Sequence, residues 1–296
     1  METRRLELLV ALDRLGSMRA VGEELGITTS TVSQQLAALA AETGSTLLEP
    51  VGRLVRLTPA GHRLADHGVT ILAAVEAARR DLDADAEPTG TVRIAGFASA
   101  IRRSLIPLLP ELRRTHPKLR VVVAEYEPEE ALTLIAQDRV DLAVVYDFAP
   151  ALRTFDDRLT TTPLWTVPWG LGVPAADPAT PGDAVATVDR YRDHEWIVNS
   201  RNDADELAVA AVAGLAGFTP AVRHRSDSLE LLQDMIVAGL GVGLLPQDGP
   251  TRDGVRVLPL RGPDVLLRAH AVVGRGRTSW PPLALLLSML RDDQTR

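Results

Sequence analysis

Residues 16–61 read GSMRAVGEELGITTSTVSQQLAALAAETGSTLLEPVGRLVRLTPAG, and this stretch decides the fold of the first part of the chain. Its pattern predicts two short helices that are joined by a tight turn and followed by a small β-wing. Gly26 is placed to end the first helix, because glycine tolerates the left-handed conformation that a tight turn needs. Thr28 is placed to cap the second helix by accepting a bond from a free N–H group. Gly44 suits the end of that second helix.

The second helix has two contrasting faces. Val32, Leu36 and Leu39 recur at i, i+4 and i+7 and form an apolar stripe. The opposite face carries small or hydrogen-bonding side chains without charge, as a helix pressed against base edges requires. A helix-turn-helix module places such a helix in a DNA groove. An ordinary helical hairpin with a polar outer face remains the alternative on this stretch alone.

The pattern continues without insertion from Leu6 to Gly61, through Gly16-Ser17 and Thr58. In these residues the chain resembles the DNA-binding end of LysR-type transcriptional regulators. Together with the resemblance, the position of the helix and wing gives the DNA contacts that we expect. These are Thr28, Thr29, Ser30, Thr31, Ser33, Gln34, Gln35, Arg53 and Arg56.

Charge favours DNA only locally. The chain has a net charge of −7, and residues 1–62 hold six arginines against seven acidic residues. We therefore expect no strong nonspecific electrostatic attraction to DNA. Arg53 and Arg56 are placed on the wing, where a cation can reach phosphate or a narrow minor groove. Two copies in a dimer would double that contact.

Length and composition bound the remaining possibilities. A chain of 296 residues with 46% hydrophobic content has room for two or more domains. It contains no run of eighteen apolar residues, and Glu7 and Asp13 interrupt what would be a signal peptide. We expect a cytoplasmic protein with no membrane segment and no cofactor. The absence of cysteine excludes disulfides, thiolate catalysis and thiol redox sensing.

A long helix is predicted after the wing. Thr58-Pro59 is a helix start, and the helix can run to about residue 86 before Pro88. Apolar and small residues recur at spacings of 4 and 3, which is a heptad seam. The predicted dimer contacts are Leu64, Ile71, Val75 and Leu82. The alternative is an amphipathic helix packed on its own domain. The domain bounds expected are 1–58 for the winged helix-turn-helix, 59–89 for this helix and 90–296 for the rest.

From residue 91 strands alternate with helices. Strands are predicted at 92–97, 119–125, 141–146, 170–173, 196–198, 221–225, 241–245 and 268–273. Helices are predicted at 98–115, 129–137, 204–216, 228–237 and 282–291. This β-α-β order implies an α/β fold with a parallel sheet covered by helices.

Here the resemblance returns, in Leu105-Ile106-Pro107, in the Asp141-Leu142 strand and in the run from Ala238 to Pro246. These residues look like the LysR effector domain, which is similar to periplasmic solute-binding proteins. The resemblance implies two α/β lobes, with crossings near 161–163 and 260–267. Lobe 1 would hold about 90–161 and 268–296, and lobe 2 about 162–267. A ligand would sit between them, where strand ends and helix N-termini meet.

The candidate effector contacts follow from these strand ends. They are Phe97, Ser99, Ala100, Tyr146, Phe148, Asn199, Ser200, Arg201 and Ser226. For each serine, an ordinary helix cap is an equal alternative. Arg201 could pair with a ligand carboxylate or form an exposed salt bridge. Because helix N-termini converge there with Ser99, Ser200 and Arg201, we expect a small, polar, anionic effector.

No other motif in the sequence indicates a further function. Gly239-x-Gly241-x-Gly243 follows a predicted helix and enters a strand, the wrong order for a dinucleotide loop. His62 and His67 do not share a helix face, and we expect no metal site. The sequence predicts a regulator, not an enzyme, that binds an interrupted palindromic operator in double-stranded DNA as a dimer or tetramer. RNA polymerase is a candidate partner. A solute-binding protein or α/β enzyme with an incidental helical domain is the alternative.

Overall fold

The structure, a computed structural model, describes residues 1–51, 54–81, 87–178 and 182–292. The N-terminal part is a three-helix unit, a two-stranded antiparallel wing and a long helix. The elements are α1 (Thr3–Leu15), α2 (Met18–Leu25), α3 (Thr29–Thr43), β1 (Leu48–Val51), β2 (Leu54–Leu57) and α4 (Pro59–Asp81).

The turn between α2 and α3 has the geometry that the sequence predicted. Gly26 ends α2 at φ 65°, and Gly44 ends α3 at φ 63°. The Thr28 hydroxyl accepts a hydrogen bond from the backbone N–H three residues on, at 3.1 Å. A Cβ atom at Gly22 would lie 2.7 Å from the carbonyl oxygen of Ile27, so only glycine lets the turn pack this closely. The predicted stripe on α3 is fully buried in the N-terminal core.

The long helix α4 packs on its own domain over its first half. A Cβ atom at Gly68 would lie 3.0 Å from Cγ2 of Val10, so the α4 and α1 backbones approach closely there. Leu64 and Ile71 are partly buried against the same N-terminal core. The alternative of an intramolecular helix therefore holds for this part of the seam, and Leu64 has a partner within the chain. Val75 is partly exposed outside that core, and Leu82 lies outside the described residues.

A nine-stranded mixed sheet forms the rest of the fold. Its strands are β3 (Gly90–Gly96), β4 (Leu119–Glu125), β5 (Leu142–Ala149), β6 (Leu159–Pro174), β7 (Glu195–Val198), β8 (Ala221–Arg225), β9 (Val242–Pro246), β10 (Val255–Pro259) and β11 (Leu266–Gly274). The order is β4-β3-β5-β11-β6-β9-β7-β8, with β10 paired to β6. Two parallel groups, β4-β3-β5 and β9-β7-β8, make the two predicted lobes, and the antiparallel strands β6 and β11 join them.

The long strand β6 corrects the predicted first crossing. Its residues 159–168 pair with β11, and its residues 170–174 pair with β9 and β10. The chain thus passes from lobe 1 to lobe 2 at about Pro168, later than the predicted crossing at 161–163. The first half of the strand was not predicted from the sequence because it contains Pro163 and Pro168, and proline normally argues against a strand interior. The second crossing falls between β10 and β11, inside the predicted span.

Helices cover both faces of the sheet. They are α5 (Ala98–Ala100), α6 (Leu109–Thr115), α7 (Pro128–Ala136), α8 (Ala184–Asp189), α9 (Ala204–Leu215), α10 (Leu229–Val237) and α11 (Pro281–Asp292). The single helix predicted at 98–115 is interrupted by a π-helical turn and a 3-10 turn. Pro107 and Pro110 lack the N–H groups that a regular α-helix would use there. None of the helices in the described ranges has the length and apolar composition to cross a membrane.

Lobe 1 also touches the long helix. Gly276 follows β11 at φ 81°, and a Cβ atom there would lie 2.9 Å from Cγ2 of Thr70 on α4. The neighbouring Arg277 pairs with Asp138 and with Asp141 of lobe 1. Lobe 1 is therefore in contact with the helix that carries the N-terminal unit.

Candidate DNA-binding surface and interlobe site

The exposed face of α3 is neutral and largely unengaged. Thr29, Ser33 and Gln34 are exposed, and their side chains make no hydrogen bond to any residue that the structure describes. Gln35, by contrast, is half-buried and accepts a hydrogen bond from Nε of Arg5 at 2.9 Å. Gln35 therefore helps to fasten α3 to α1, and the predicted direct role in DNA contact loses support.

Three hydroxyl groups cluster at the start of α3. Thr28 Oγ1 lies 2.9 Å from Oγ of Ser30 and 2.8 Å from Oγ1 of Thr31. Thr28 and Ser30 are exposed and Thr31 is half-buried. The cluster fixes the N-terminus of α3, where free N–H groups favour an anion such as a phosphate.

Most arginines of the N-terminal unit are neutralised within it. Arg5 pairs with Glu42, Arg14 with Glu24 and Arg19 with Glu23. Arg56 is exposed on β2 opposite Glu49, and Arg53 lies outside the described residues. Arg56 is therefore the described wing residue that could contact phosphate.

A buried carboxylate joins the two lobes. Glu127, at the start of α7 in lobe 1, is only 5% exposed. Its Oε2 accepts hydrogen bonds from the Tyr146 hydroxyl at 2.9 Å and from Nδ2 of Asn202 at 2.6 Å. The Asn202 amide also lies 2.8 Å from the Tyr146 oxygen. Because Asn202 belongs to lobe 2, these three side chains close the cleft between the lobes.

Arg201 forms a second bridge beside the first. Its guanidinium pairs with Glu130 of lobe 1, with Nε 3.3 Å from Oε1. Nη1 lies 3.2 Å from Oδ2 of Asp227 and 3.9 Å from Oε1 of Glu125. The bond from Arg201 lowers the pKa of Glu130, and the bond to Glu130 raises the pKa of Arg201. This guanidinium is already paired with carboxylates, which weakens one of the reasons to expect an anionic ligand.

An aromatic row lies beneath these bridges. Ring centroids are separated by 6.2 Å from Trp165 to Phe97 and by 4.6 Å from Phe97 to Tyr146. The row continues over 5.8 Å to Phe148 and over 5.0 Å to Trp169. These contacts join Phe97, which follows β3, to strands β5 and β6, and most of the row belongs to the buried apolar core.

The structure brings only some of the predicted effector residues together. Phe97, Tyr146, Phe148 and Arg201 lie in the network just described. The others serve local structure or face solvent. Ser99 and Ser200 are exposed, Ala100 is buried, Asn199 Oδ1 accepts from the Arg201 N–H, and Ser226 forms a turn with Ser228.

Three residues of the site were missed. Glu127 and Glu130 stand at the start of α7, where acidic residues are ordinary partners of a helix N-terminus. Asn202 stands in a polar turn next to Arg201, where amides are common. Each of these residue types has an ordinary explanation within its own segment. Their common role in joining the two lobes appears only when the lobes are seen in contact. Among the described residues there is no cluster that could hold a metal ion.

Burial controls the protonation of this site. Burial raises the pKa of Glu127, against the opposing bond from Tyr146. Burial and then the neighbouring Glu127 carboxylate raise the pKa of Tyr146 well above 10, so its hydroxyl stays a donor. Burial also raises the pKa of Asp205 to about 6, although backbone N–H groups of Asn199 and Glu206 bond to it.

Glu127→Gln is expected to stabilise the protein in a pH-dependent way. Burial raises the pKa of Glu127, so its ionised form lowers the free energy of unfolding of the wild type at high pH. This loss of stability disappears as the pH falls through the raised pKa of the folded state towards the ordinary value of 4.5, because the carboxyl group is then protonated. Glutamine keeps an acceptor oxygen and has no charge. The variant should have a higher Tm than the wild type at pH 8 and a smaller advantage at pH 4.5. Calorimetry measures both, with exposed Glu129→Gln as control; an equal difference at both pH values contradicts the assignment.

A winged helix-turn-helix joined by a long helix to a two-lobed binding domain defines the class of ligand-responsive, DNA-binding transcriptional regulators. Residues 3–62 match the family of bacterial regulatory helix-turn-helix proteins of the lysR type, and residues 85–295 match the LysR substrate binding domain. The chain belongs to the LysR family of transcriptional regulators. Its helical N-terminal unit is thus not an incidental addition to a binding protein.

Individual relatives agree with this assignment. The chain is 27% identical over 285 residues to a hydrogen peroxide-inducible genes activator of Pectobacterium carotovorum, covering 89% of this chain and 87% of the relative. A full-length OxyR variant from Pseudomonas aeruginosa has a TM-score of 0.71 at 21% identity, covering 99% and 94% of the two chains. Full-length BenM has a TM-score of 0.58 at 22% identity, covering 99% and 96%. The two structures show the shared fold.

Proposed function

We propose that this regulator binds an interrupted palindromic operator as a dimer or a dimer of dimers and is switched by a small molecule in the interlobe cleft. It would act in the cytoplasm, where DNA and RNA polymerase are found. The hydrogen bond from Asn202 of lobe 2 to the buried Glu127 of lobe 1 carries the proposal. A ligand that enters the cleft must replace this contact. Its binding is therefore coupled to the angle between the lobes.

The long helix α4 supplies the route from cleft to DNA. Lobe 1 touches α4 where Gly276 meets Thr70, and α4 packs on α1 of the DNA-binding unit. A change of lobe angle in a dimer would alter the spacing of the two α3 helices.

The signal is proposed to be noncovalent binding. One relative is named for induction by hydrogen peroxide, but this chain contains no cysteine. Reversible thiol oxidation, the common protein chemistry for peroxide sensing, is thus not open to it. The cleft is left to recognise a ligand by shape, charge and hydrogen bonds.

A thermal-shift screen of metabolites against the full chain tests the cleft proposal. A ligand at 100 times its dissociation constant should stabilise the protein by about 2.7 kcal/mol. Asn202→Ala should change the size of the shift, because the ligand no longer has to displace this interlobe donor, whereas Asp203→Ala, at an exposed neighbour, should not. The same shift in the wild type and in Asn202→Ala would move the ligand to another site.

Gln34→Ala is expected to relax base preference at one symmetric position of the operator. Gln34 is exposed on α3, and glutamine suits bidentate pairing with adenine, which is worth about 1–3 kcal/mol of discrimination. Selection from random duplexes by the wild type and the variant measures the preference. Gln137→Ala, an exposed glutamine in lobe 1, is the matched control. An unchanged selected site would show that Gln34 reads no base.

Arg53→Ala and Arg56→Ala are expected to weaken binding to all DNA sequences alike. Each removes a wing cation, so the slope of log affinity against log salt should fall by about 1. Binding titrations from 50 to 200 mM salt, roughly the range in which such slopes are measured, decide this. A change confined to one base position would instead assign base reading to the wing.

A further inference from the structure

We propose that the interlobe cleft selects an organic cation, with a guanidinium or ammonium group, and that Glu127 is the residue that sets this specificity. The inference rests on the proposed ligand switch and adds the chemical class of its effector. It replaces the anionic ligand that the helix N-termini with Ser99, Ser200 and Arg201 suggested.

The charge balance of the cleft is the first observation. Among the described residues, the carboxylates of Glu125, Glu127, Glu130 and Asp227 lie around the guanidinium of Arg201, and a second guanidinium, that of Arg103, lies over Trp165. Glu127 is 5% exposed, and its hydrogen-bond partners, Tyr146 and Asn202, are neutral. It forms no ion pair with any residue in the described ranges. An anion entering here would meet an excess of like charge, whereas a cation would neutralise a buried carboxylate.

Arg201 itself shows which group these carboxylates accept. Its guanidinium bridges Glu130 on one lobe and Asp227 on the other. The chain thus holds its own cation across the cleft, half-exposed at the mouth. A ligand guanidinium or ammonium group placed on Glu127 would make the same kind of contact with a carboxylate and would replace the neutral Asn202 donor.

The aromatic row is independent of the charges and favours the same class. Aromatic faces attract cations, and at the outer end of the row the Arg103 guanidinium lies 4.9 Å from the Trp165 ring centroid. At the inner end, Trp169 is 8% exposed and its indole Nε1 is buried without an acceptor among the described residues. A ligand with an oxygen acceptor besides its cation would satisfy that donor.

Calorimetric titration of the full-length protein tests the class with three probes of similar size. The probes are 4-guanidinobutanamide as cation with an amide oxygen, glutarate as anion and pentanamide as neutral analogue. We expect the cation to bind with a dissociation constant of about 1 mM or below, and the others to show no binding at ten times that concentration. Glu127→Gln should weaken the cation at least tenfold, about 1.4 kcal/mol. Glu129→Gln, an exposed acid on the same helix that pairs with Arg153, should leave affinity unchanged.

Each other outcome overturns the inference in a distinct way. Failure of the cation to bind the wild type rejects the cationic class. Equal binding to the wild type and Glu127→Gln rejects the role of Glu127. Binding of glutarate that is lost in Asn202→Ala rejects the cation and leaves the cleft as the ligand site. Binding of any probe that is insensitive to both Glu127→Gln and Asn202→Ala rejects the cleft itself, and with it the proposed switch.

Discussion

Val75→Asp is expected to yield a monomer that binds its operator on the order of 100-fold more weakly than the wild-type protein. Val75 is partly exposed on α4, beyond the part that packs on the N-terminal core. If α4 pairs with its copy there, the variant places an unpaired charge in an apolar seam, which costs several kcal/mol unless the helices separate. Separation removes the avidity that comes from holding two DNA-binding units together.

Val75 is chosen so that the substitution tests dimerisation without disturbing the fold of the monomer. Ile71 packs against the core of its own domain, so a charge there would damage the monomer as well. Ala74→Asp is the matched control, since Ala74 is exposed and off the predicted seam. Sedimentation gives the mass, and anisotropy titration gives the affinity. A Val75→Asp protein with wild-type mass and DNA affinity would show that this helix is not the dimer interface.

Asn202→Asp is expected to open the cleft. The new carboxylate would replace a donor that lies 2.6 Å from Oε2 of Glu127, so a hydrogen bond becomes a like-charge contact. Loss of a donor to a buried acceptor costs about 1–3 kcal/mol. For an effector domain of this size that lowers Tm by roughly 2–12 °C. Small-angle scattering should show a larger radius of gyration, and the regulator should lose its response to ligand.

Lowering the pH should reverse the effect in this variant. Two carboxylates at hydrogen-bond distance share one proton once the medium is acidic enough, because the contact raises the higher pKa of the pair. The Tm deficit should therefore shrink as pH falls from 8 to about 5. Gln137→Glu makes the same chemical change at an exposed site of lobe 1 and should show neither effect. An unchanged radius and Tm in Asn202→Asp would mean that the cleft contact does not hold the lobes.

The sequence predicted the elements whose signals are local. Gly26, Thr28 and Gly44 mark the helix-turn-helix because caps and turns depend on single residues. Strand β4 and strand β8 were predicted with the bounds that the structure shows. The predictions for the first half of β6 and for the helix after β3 were wrong in detail. Pro163 argues against a strand in the sequence, but pairing with β11 forms the strand nevertheless. Pro107 lacks the N–H group that a continuous α-helix needs, so the predicted helix is interrupted.

The interlobe site was harder to predict because its parts lie on separate lobes. Tyr146 and Arg201 were found as strand-end residues, but their partners Glu127 and Asn202 were not. From the sequence, a carboxylate at the start of a helix is explained by its interaction with the helix dipole. Its contact with the opposite lobe is visible only in the folded structure. The anionic ligand predicted in part from Arg201 fails to gain support for the same reason, since the carboxylates around that guanidinium come from both lobes.

Selection of operator sites from random duplex DNA by the full-length protein tests the central proposal most directly. We predict two half-sites related by a dyad and separated by an interval that places both on one face of the duplex, about 10 bp or a multiple apart. The Val75→Asp protein should fail to enrich the pair. Enrichment of a single unsymmetrical site, or of none, by the wild-type protein would contradict recognition by two α3 helices held at fixed spacing.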